Sequence, residues 1–160
     1  MEINQYDNND KIINDIIDDY NKRLLDLIEN PDIQNKDKYY YEIAKKAGNF
    51  ACAYYYETSG SVRKYIAYSG FNHSKKFKYL KFFEDKYTIG YRPELIGRKN
   101  IFNTKTYDND CTKHSEKWDR WDDSESKILE QVAFENNKVF KNNIVLWTRR
   151  YPCPSLQVRY

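Results

Sequence analysis

The sequence lacks the features of disulfide-rich, membrane-spanning and signal-bearing chains. It contains three cysteines among 160 residues, and this odd number without a regular spacing argues against a disulfide framework. No apolar run approaches the roughly 20 residues that a membrane-spanning helix needs. The N-terminus has neither the basic region nor the apolar region of a signal peptide. We therefore expect folding without disulfides, no membrane partner, and export, if it occurs, through another part of a longer polypeptide or another route.

Internal repeats and low-complexity linkers are also missing, which favours a single folded unit. A chain of 160 residues is long enough to bury a real core. Its pattern divides it into an N-terminal amphipathic helical arm, residues 1–36, and a main domain, residues 37–160.

Charge is distributed unevenly, although the net charge is only +3. Residues 1–35 hold nine acidic and three basic residues, residues 36–110 hold eight and fifteen, and residues 111–160 hold seven and nine. A basic middle segment attracts a phosphate backbone, and aromatic rings beside basic residues can stack on unpaired bases. The simpler interpretation is a solvated lysine-rich face, with the 16 Tyr and 8 Phe residues in cores and strands.

Hydrophobic spacing predicts an amphipathic helix over residues 9–29. Its apolar residues recur at helical intervals, and they are Ile13, Ile16, Ile17, Tyr20, Leu24, Leu27 and Ile28. Asn9 or Asp10 can cap its start, and Pro31 follows its end. This helix either packs on the domain or links it to a preceding region. A shorter helix is predicted over residues 37–47, with Gly48 placed to end it.

Side-chain alternation then predicts a β-hairpin. Its strands cover residues 50–56 and 62–68, around a turn that contains Gly60. The lysine-rich residues 69–100 are expected to form a loop with a short helix or strand near Lys78–Phe83.

The last third of the chain returns to regular structure. Residues 101–121 show little periodicity and are expected to be irregular. A helix is predicted over residues 124–136 with Asp123 as its N-cap. A short apolar run over residues 144–147 predicts a buried strand, and residues 152–153 would open a further helix.

Two segments near the C-terminus carry a recognisable chemical pattern. Residues 123–130 are Asp-Ser-Glu-Ser-Lys-Ile-Leu-Glu, and residues 151–156 are Tyr-Pro-Cys-Pro-Ser-Leu. They match the two parts of a zinc-deaminase site, H-x-E followed by P-C-x-x-C, except that Asp123 replaces His and Leu156 replaces the second Cys. In such a site a Zn²⁺ with three protein ligands activates a water, and a Glu that is not a ligand transfers the proton.

The chain resembles the deaminase domains of bacterial polymorphic toxins, in the branch with the motifs Asp-[Ser/Thr]-Glu-x-Lys-Ile-Leu and Pro-Cys-Pro-Ser-Cys-Gln. Residues 123–129 and 152–157 carry these motifs, and residues 48–53 with the hairpin look like the first two strands of that branch. The resemblance implies an α/β, cytidine deaminase-like fold: a mixed sheet with flanking helices, after an N-terminal helical arm. Because only seven residues follow Cys153, we expect an incomplete C-terminal edge, from truncation or degeneration.

The resemblance also implies roles for individual residues. Glu125 would be the catalytic proton shuttle, and Asp123 and Cys153 would bind zinc. The third ligand position falls on Leu156, which cannot bind a metal. His114 is a possible substitute ligand, as is Cys111, and His114-Ser115-Glu116 is a second match to H-x-E; otherwise His114 is an ordinary loop residue.

The activity implied is zinc-dependent hydrolytic deamination of a nucleobase, cytosine rather than adenine, in single-stranded DNA, RNA or a nucleotide. The domain would be secreted or delivered into a target cell as part of a larger toxin, act in the cytoplasm, and meet an immunity protein in the producer. Basic residues would hold the nucleic-acid backbone, and the candidates are Arg63, Lys64, Lys75, Lys76, Lys78, Arg149 and Arg150.

Two other functions fit the same sequence. The first is a catalytically inactive deaminase-like module that binds nucleic acid or an immunity protein, and Leu156 favours it. The second is a structural or interaction domain with an acidic helical arm. Zinc content separates the enzyme from both alternatives, and nucleic-acid binding at low salt separates the alternatives from each other.

Overall fold

A computed structural model describes residues 10–46, 49–69, 81–102, 123–137 and 142–149. Within these ranges the chain forms three α-helices and four β-strands, numbered here in chain order. They are α1 (Lys11–Glu29), α2 (Asn35–Lys46), β1 (Phe50–Tyr56), β2 (Val62–Tyr68), β3 (Thr88–Ile89), α3 (Ser124–Glu135) and β4 (Ile144–Thr148). Two 3₁₀ turns, Lys81–Phe83 and Pro93–Ile96, lie on either side of β3 in the sequence.

The four strands form one mixed sheet in the order β3-β2-β1-β4. β1 pairs antiparallel with β2 on one side and with β4 on the other, whereas β3 pairs parallel with β2. Helices α1 and α3 pack against this sheet. The predicted mixed α/β architecture with flanking helices is therefore confirmed.

The predicted hairpin has the predicted strand bounds. A hydrogen bond from the Glu57 N–H to the Ser61 carbonyl closes its turn at 2.8 Å. Gly60 has a φ of 85°, a left-handed conformation that residues with a Cβ adopt at a steric cost. The turn therefore favours glycine at this position.

The other predicted elements begin and end within two residues of their expected bounds. The short helix expected near Lys78–Phe83 is the 3₁₀ turn Lys81–Phe83. The sequence did not predict β3, because two residues are too few for alternation to show. Gly48, most of the irregular stretch at 101–121 and the helix expected at 152–153 lie outside the described residues.

The cap of α1 also fastens this helix to the sheet. Asp10 is the N-cap, and its Oδ1 accepts a hydrogen bond from the Ile13 N–H at 3.0 Å, which satisfies a donor that the first turn leaves free. Its Oδ2 accepts from the Tyr54 hydroxyl of β1 at 2.8 Å. Of the two arrangements that its pattern allowed, α1 takes the one in which it packs on the domain. The division of the chain at residue 36 stays a prediction.

The sheet has two faces, which we name after the helices that cover them. The α1 face is built from large side chains, and they are Phe50, Cys52, Tyr54, Ile66 and Tyr68 of the sheet with Ile13, Ile16, Tyr20 and Leu24 of α1. The α3 face contains three alanines and two tyrosines of the hairpin against α3, and they are Ala51, Ala53, Ala67, Tyr55 and Tyr65 with Ile128, Leu129 and Val132. Small side chains let a helix lie close to a sheet.

From the sequence we expected neither a disulfide framework nor a membrane-spanning helix. Cys52 is a buried free thiol, in agreement with folding without disulfides at this position; the other two cysteines lie outside the described residues. Among the helices that the structure describes, none has both the length and the apolar composition needed to cross a bilayer.

Candidate active site

The N-terminus of α3 meets the end of the sheet where β1 begins and where β2 and β4 end. Asp123 occupies the N-cap position of α3 with an extended backbone, φ −65° and ψ 137°. Its side chain makes no capping hydrogen bond. Asp123 therefore lies at the N-cap position, as predicted, but its side chain does not make the hydrogen bond that a capping residue usually makes.

Glu125 lies in the first turn of α3 and is 2% exposed. Its Oε1 accepts a hydrogen bond from the Asn49 side-chain amide at 2.9 Å. Its Oε2 accepts one from the Ser124 hydroxyl at 2.9 Å. The positive end of the helix dipole favours a negative charge at this position. These contacts hold a buried carboxylate in one orientation.

Asn49 connects Glu125 to the ends of three strands. Its Nδ2 also donates to the Thr148 hydroxyl at the end of β4, at 2.6 Å. Its backbone N–H donates to the Ser69 hydroxyl at 2.8 Å, and its carbonyl accepts from the Ser69 N–H at 2.9 Å. Ser69 follows β2 directly, so the position of Asn49 is fixed by backbone and side-chain bonds together.

Lys127 fixes α3 against β2 from the other side of the helix. It is only 2% exposed, and its Nζ donates to the Tyr68 carbonyl at 3.0 Å. A buried ammonium needs such acceptors, because burial without them is costly. Gly90 packs against the same turn: a Cβ built at this glycine would lie 2.9 Å from the carbonyl carbon of Lys127. The N-terminal half of α3 thus has little freedom to shift.

Glu130 holds the segment that approaches α3 from the side. Its carboxylate accepts hydrogen bonds from the backbone N–H groups of Ile101, at 2.9 Å, and Phe102, at 2.8 Å. Burial raises the pKa of the Glu130 carboxyl, although these two backbone bonds oppose the rise. Arg98 of the same segment donates to Gln131 at 2.9 Å. These contacts brace α3 and take no part in the Glu125 cluster.

Two of the predicted zinc-site residues, Asp123 and Glu125, lie together at the start of α3. Cys153 and the possible substitute His114 lie outside the described residues. Among the residues that the structure describes, no group of three or more His, Cys, Asp or Glu side chains could hold a metal ion. Zinc binding therefore stays a prediction.

Arg63, a predicted backbone contact, lies far from Glu125. It forms ion pairs with Glu57 and with Glu135, the latter at 2.8 Å. Glu135 is the last residue of α3, about 15 Å along the helix from Glu125 at the usual rise per residue. Lys64 follows Arg63 in β2, so its side chain points to the opposite face of the sheet.

Arg149 lies at the same end of the sheet as Glu125. It follows β4, and its backbone N–H donates to the Phe50 carbonyl at 2.9 Å. Its guanidinium lies 5.8 Å from the centre of the Phe50 ring. The remaining predicted contacts, Lys75, Lys76, Lys78 and Arg150, lie outside the described residues.

Asn49, Ser69 and Thr148 belong to the Glu125 cluster, and the sequence did not single them out for it. Each is a polar residue at the boundary of a predicted strand, which was the only available signal. Lys127 was noted as part of the first motif, but its burial was not expected. Their meeting depends on sheet register, which brings residues 99 positions apart into contact.

This arrangement suits proton transfer. General acid–base groups work best when their position is fixed and their environment is shielded from bulk water. Glu125 satisfies both conditions, since its carboxylate is buried and is bonded through both oxygens.

Comparison with known proteins identifies a family to which the chain is similar. A model of toxin deaminases, described as the BURPS668_1122 family of deaminases, matches residues 34–158. Neither the curated proteins nor the solved structures gave a significant match. The family match covers α2, all four strands and α3, including the cluster around Glu125. The chain therefore belongs to the BURPS668_1122 family of toxin deaminases.

Proposed function

We propose that this toxin-deaminase domain is a zinc-dependent hydrolase that removes the amine of a nucleobase, cytosine rather than adenine, in single-stranded DNA, RNA or a nucleotide. Glu125 is the proton shuttle: its carboxylate takes a proton from the attacking water and passes it to the ring nitrogen. It then takes the proton of the hydroxyl added to the ring carbon and passes it to the amine, which leaves as ammonia. One observation carries the proposal: the Glu125 carboxylate at the start of α3 is buried and accepts a hydrogen bond at each of its two oxygens.

The partners of Glu125 support this role. Asn49 donates through an amide and Ser124 through a hydroxyl. Both groups are neutral, so they orient the carboxylate without cancelling its charge.

Zinc is the metal implied by the resemblance, with Asp123 and Cys153 as ligands and His114 as the candidate third ligand. Carboxylate, thiolate and imidazole are ordinary zinc donors, so this donor set fits the ion chemically. When bound, the ion would supply an activated water. Asp123 occupies the N-cap position of α3, two residues before Glu125, so the proposed ligand and the proposed proton shuttle lie at the same end of one helix.

A nucleic-acid or nucleotide substrate is supported by charge. Residues 36–110 hold fifteen basic and eight acidic residues. Arg149 lies at the Glu125 end of the sheet, whereas Arg63 is paired with acids at the other end. We therefore favour Arg149, with its neighbour Arg150, as backbone contacts. The target base must be unpaired or extruded to reach Glu125.

Membership of a toxin family supports a biological role as the effector part of a larger, delivered toxin. The domain would act on nucleic acid or nucleotides in the cytoplasm of the target cell. The producing cell would need an immunity protein that blocks the domain.

The second candidate is an inactive deaminase-like module that binds nucleic acid or the immunity protein. Leu156 favours it, because this residue stands where the motif has a ligand cysteine. A site with two ligands binds zinc more weakly than a site with three.

The test combines zinc content with deamination. We would measure zinc per chain in the wild type and in Leu156→Cys. We would then assay an oligodeoxynucleotide, an RNA and free cytidine, each beside its adenine counterpart. The proposal expects about one zinc in the wild type and conversion of cytosine to uracil. Glu125→Gln should lower kcat about 10³-fold, the usual size of an acid–base contribution.

The matched control is Glu130→Gln. This glutamate is buried in the same helix at 3% exposure, and its bonds to Ile101 and Phe102 are structural. It should lower stability and keep kcat. Zinc only in Leu156→Cys would favour the inactive module. Zinc in neither chain, with no deamination, would contradict the enzyme.

A further inference from the structure

We propose that Asn49 is a positioning residue, which fixes the Glu125 carboxylate and couples it to the end of β4. The inference rests on the proposed role of Glu125 as proton shuttle. It concerns a residue outside both sequence motifs and 76 positions away from Glu125.

The identity of the Asn49 atom that faces Glu125 follows from chemistry. A carboxylate oxygen accepts hydrogen bonds and Nδ2 is the donor atom of the amide, and it is Nδ2 that Asn49 presents to Glu125. The Nδ2 group has two hydrogens. One is directed to Glu125 Oε1 at 2.9 Å, and the other to Thr148 Oγ1 at 2.6 Å. Rotation of the amide by half a turn would break both bonds.

The backbone of Asn49 is held as firmly as its side chain. The two reciprocal bonds with Ser69, at 2.8 and 2.9 Å, anchor it to the end of β2. Phe50, the next residue, is the first of β1 and is 1% exposed. The amide therefore projects from a rigid part of the sheet.

The two donors to Glu125 differ in what they can fix. Ser124 is the neighbouring residue in α3, so its hydroxyl moves with the helix and cannot set the position of α3 against the sheet. Asn49 belongs to the sheet. Lys127 holds the helix as a whole against β2, whereas among the described residues the Asn49 bond ties the carboxylate itself to the sheet. A displacement of about 1 Å at a catalytic group can cost about 100-fold in rate.

Thr148 extends the coupling to the second motif. It is the last residue of β4, and Cys153 follows it by five positions in the sequence. One amide thus joins the helix that carries the shuttle to the strand that leads toward a predicted zinc ligand. Asn49 therefore connects the start of α3 with the end of β4.

The first arm of the test is kinetic. Asn49→Ala should lower kcat about 100-fold and change KM less than about threefold. Thr148→Val removes the acceptor and keeps the branched shape, and kcat should fall about fivefold; Thr148→Ser restores the hydroxyl and should restore most of that loss.

The control is Asn142→Ala. Asn142 also donates an amide hydrogen bond, to the Tyr56 carbonyl at 2.6 Å. This bond lies at the opposite end of β1, about 20 Å away at the usual rise per strand residue. Its loss should leave kcat unchanged. A rise in KM for Asn49→Ala with unchanged kcat would instead make Asn49 a substrate contact and overturn the positioning role.

The second arm needs no activity. The side-chain amide signals of Asn49 can be assigned in a ¹⁵N-labelled chain by their loss in Asn49→Ala. Glu125→Ala and Thr148→Val should each shift one of the two amide protons, and Asn142→Ala should shift neither. If Glu125→Ala does not fold, Thr148→Val still tests the coupling.

The two arms separate the two hypotheses. If no nucleobase is deaminated but the amide protons respond as expected, the proposed function fails and the contact stands. If the wild type is active and the Asn49 protons respond to neither variant, the positioning role is overturned while the proposed function remains.

Discussion

The two faces of the sheet use opposite kinds of side chain. On the α1 face, large apolar groups fill the space: the Tyr20 and Phe50 rings stack with centroids 3.8 Å apart. On the α3 face, alanines of β1 and β2 let the helix lie close, and α3 buries a run of polar residues in its first two turns, Ser124 to Lys127, Glu130 and Gln131. Burial of polar groups is costly unless they are bonded, so the stability of the α3 face depends on the hydrogen bonds of these residues.

The region that matches the family model also separates α1 from the rest of the fold. It begins at residue 34, after α1 has ended. The helix that supplies Ile13, Ile16, Tyr20 and Leu24 to the core therefore lies outside the matched region. Packing on one face and proposed chemistry on the other can be changed separately, and the following substitutions test that separation.

The largest effect on stability is expected on the α1 face. Tyr20→Ala removes a side chain that is 0% exposed, so the free energy of unfolding should fall by about 3–5 kcal/mol, as for other large-to-small core changes. Urea unfolding would measure this loss. Deamination per folded molecule should stay at the wild-type level.

Tyr20→Phe is the matched control. It keeps the ring and removes a buried hydroxyl with no hydrogen-bond partner among the described residues. Its stability should lie within about 1 kcal/mol of the wild type or above it. If Tyr20→Ala lowered kcat as strongly as Glu125→Gln, the two faces would not be separable.

On the α3 face, Gly90→Ala should affect both properties. The added Cβ would lie 2.9 Å from the carbonyl carbon of Lys127, so α3 or the segment that contains Gly90 must move. We expect a loss of about 1–3 kcal/mol, typical of overpacking. A lower kcat should accompany it, because Glu125 lies on the same turn.

Gly97→Ala is the control for Gly90→Ala, because it strains the backbone without displacing α3. Gly97 has a φ of 71°, and a Cβ there would meet no atom within 4 Å. It should cost about 1 kcal/mol through the left-handed backbone and leave kcat unchanged. Equal kinetic effects of the two alanine variants would show that Gly90 does not act through α3.

The smallest expected effect concerns the rim of the α1 face. Asp19 forms ion pairs with Arg23 at 3.0 Å and Lys86 at 2.9 Å, and it accepts from the Tyr87 hydroxyl at 2.6 Å. Burial by itself raises the pKa of Asp19, but Tyr87, Lys86 and Arg23 together lower it below its usual value. The ionised form is thus the one that the fold stabilises.

Asp19→Asn should therefore cost about 1 kcal/mol at pH 7. The sign follows from linkage: stability from a lowered carboxyl pKa is present above about pH 4 and is lost as the pH falls through the folded-state pKa. The difference between variant and wild type should shrink below about pH 4. Asp26→Asn, which breaks an exposed pair with Lys22, should leave the stability at pH 7 nearly unchanged.

Local patterns predicted most of the fold. The spacing of apolar residues in α1, the alternation in β1 and β2 and the apolar run of β4 each depend on neighbouring residues, and each element formed where expected. β3 was not predicted because its structure comes from pairing with β2, with Tyr65 opposite Thr88 and Ile66 opposite Ile89. Two residues carry no periodic signal of their own.

The residues of the candidate site also divide into those that a local pattern predicted and those that it did not. Glu125 and Asp123 were predicted because they lie two residues apart in one motif. Asn49 and Thr148 were not, because their meeting with Glu125 depends on the β1–β4 register. No local pattern contains that register.

That register also has a consequence for the order of folding. β1 and β2 are joined by a five-residue turn, whereas Tyr55 pairs with Ile144, 89 positions later. Closing the longer loop costs about 2 kcal/mol more entropy, so we expect the hairpin to form early and β4 to add late. During synthesis the Thr148 hydroxyl can reach Asn49 only after the 98 residues between them have been made. The proposed catalytic geometry would therefore be among the last features to form, and the chain would lack it during most of its folding.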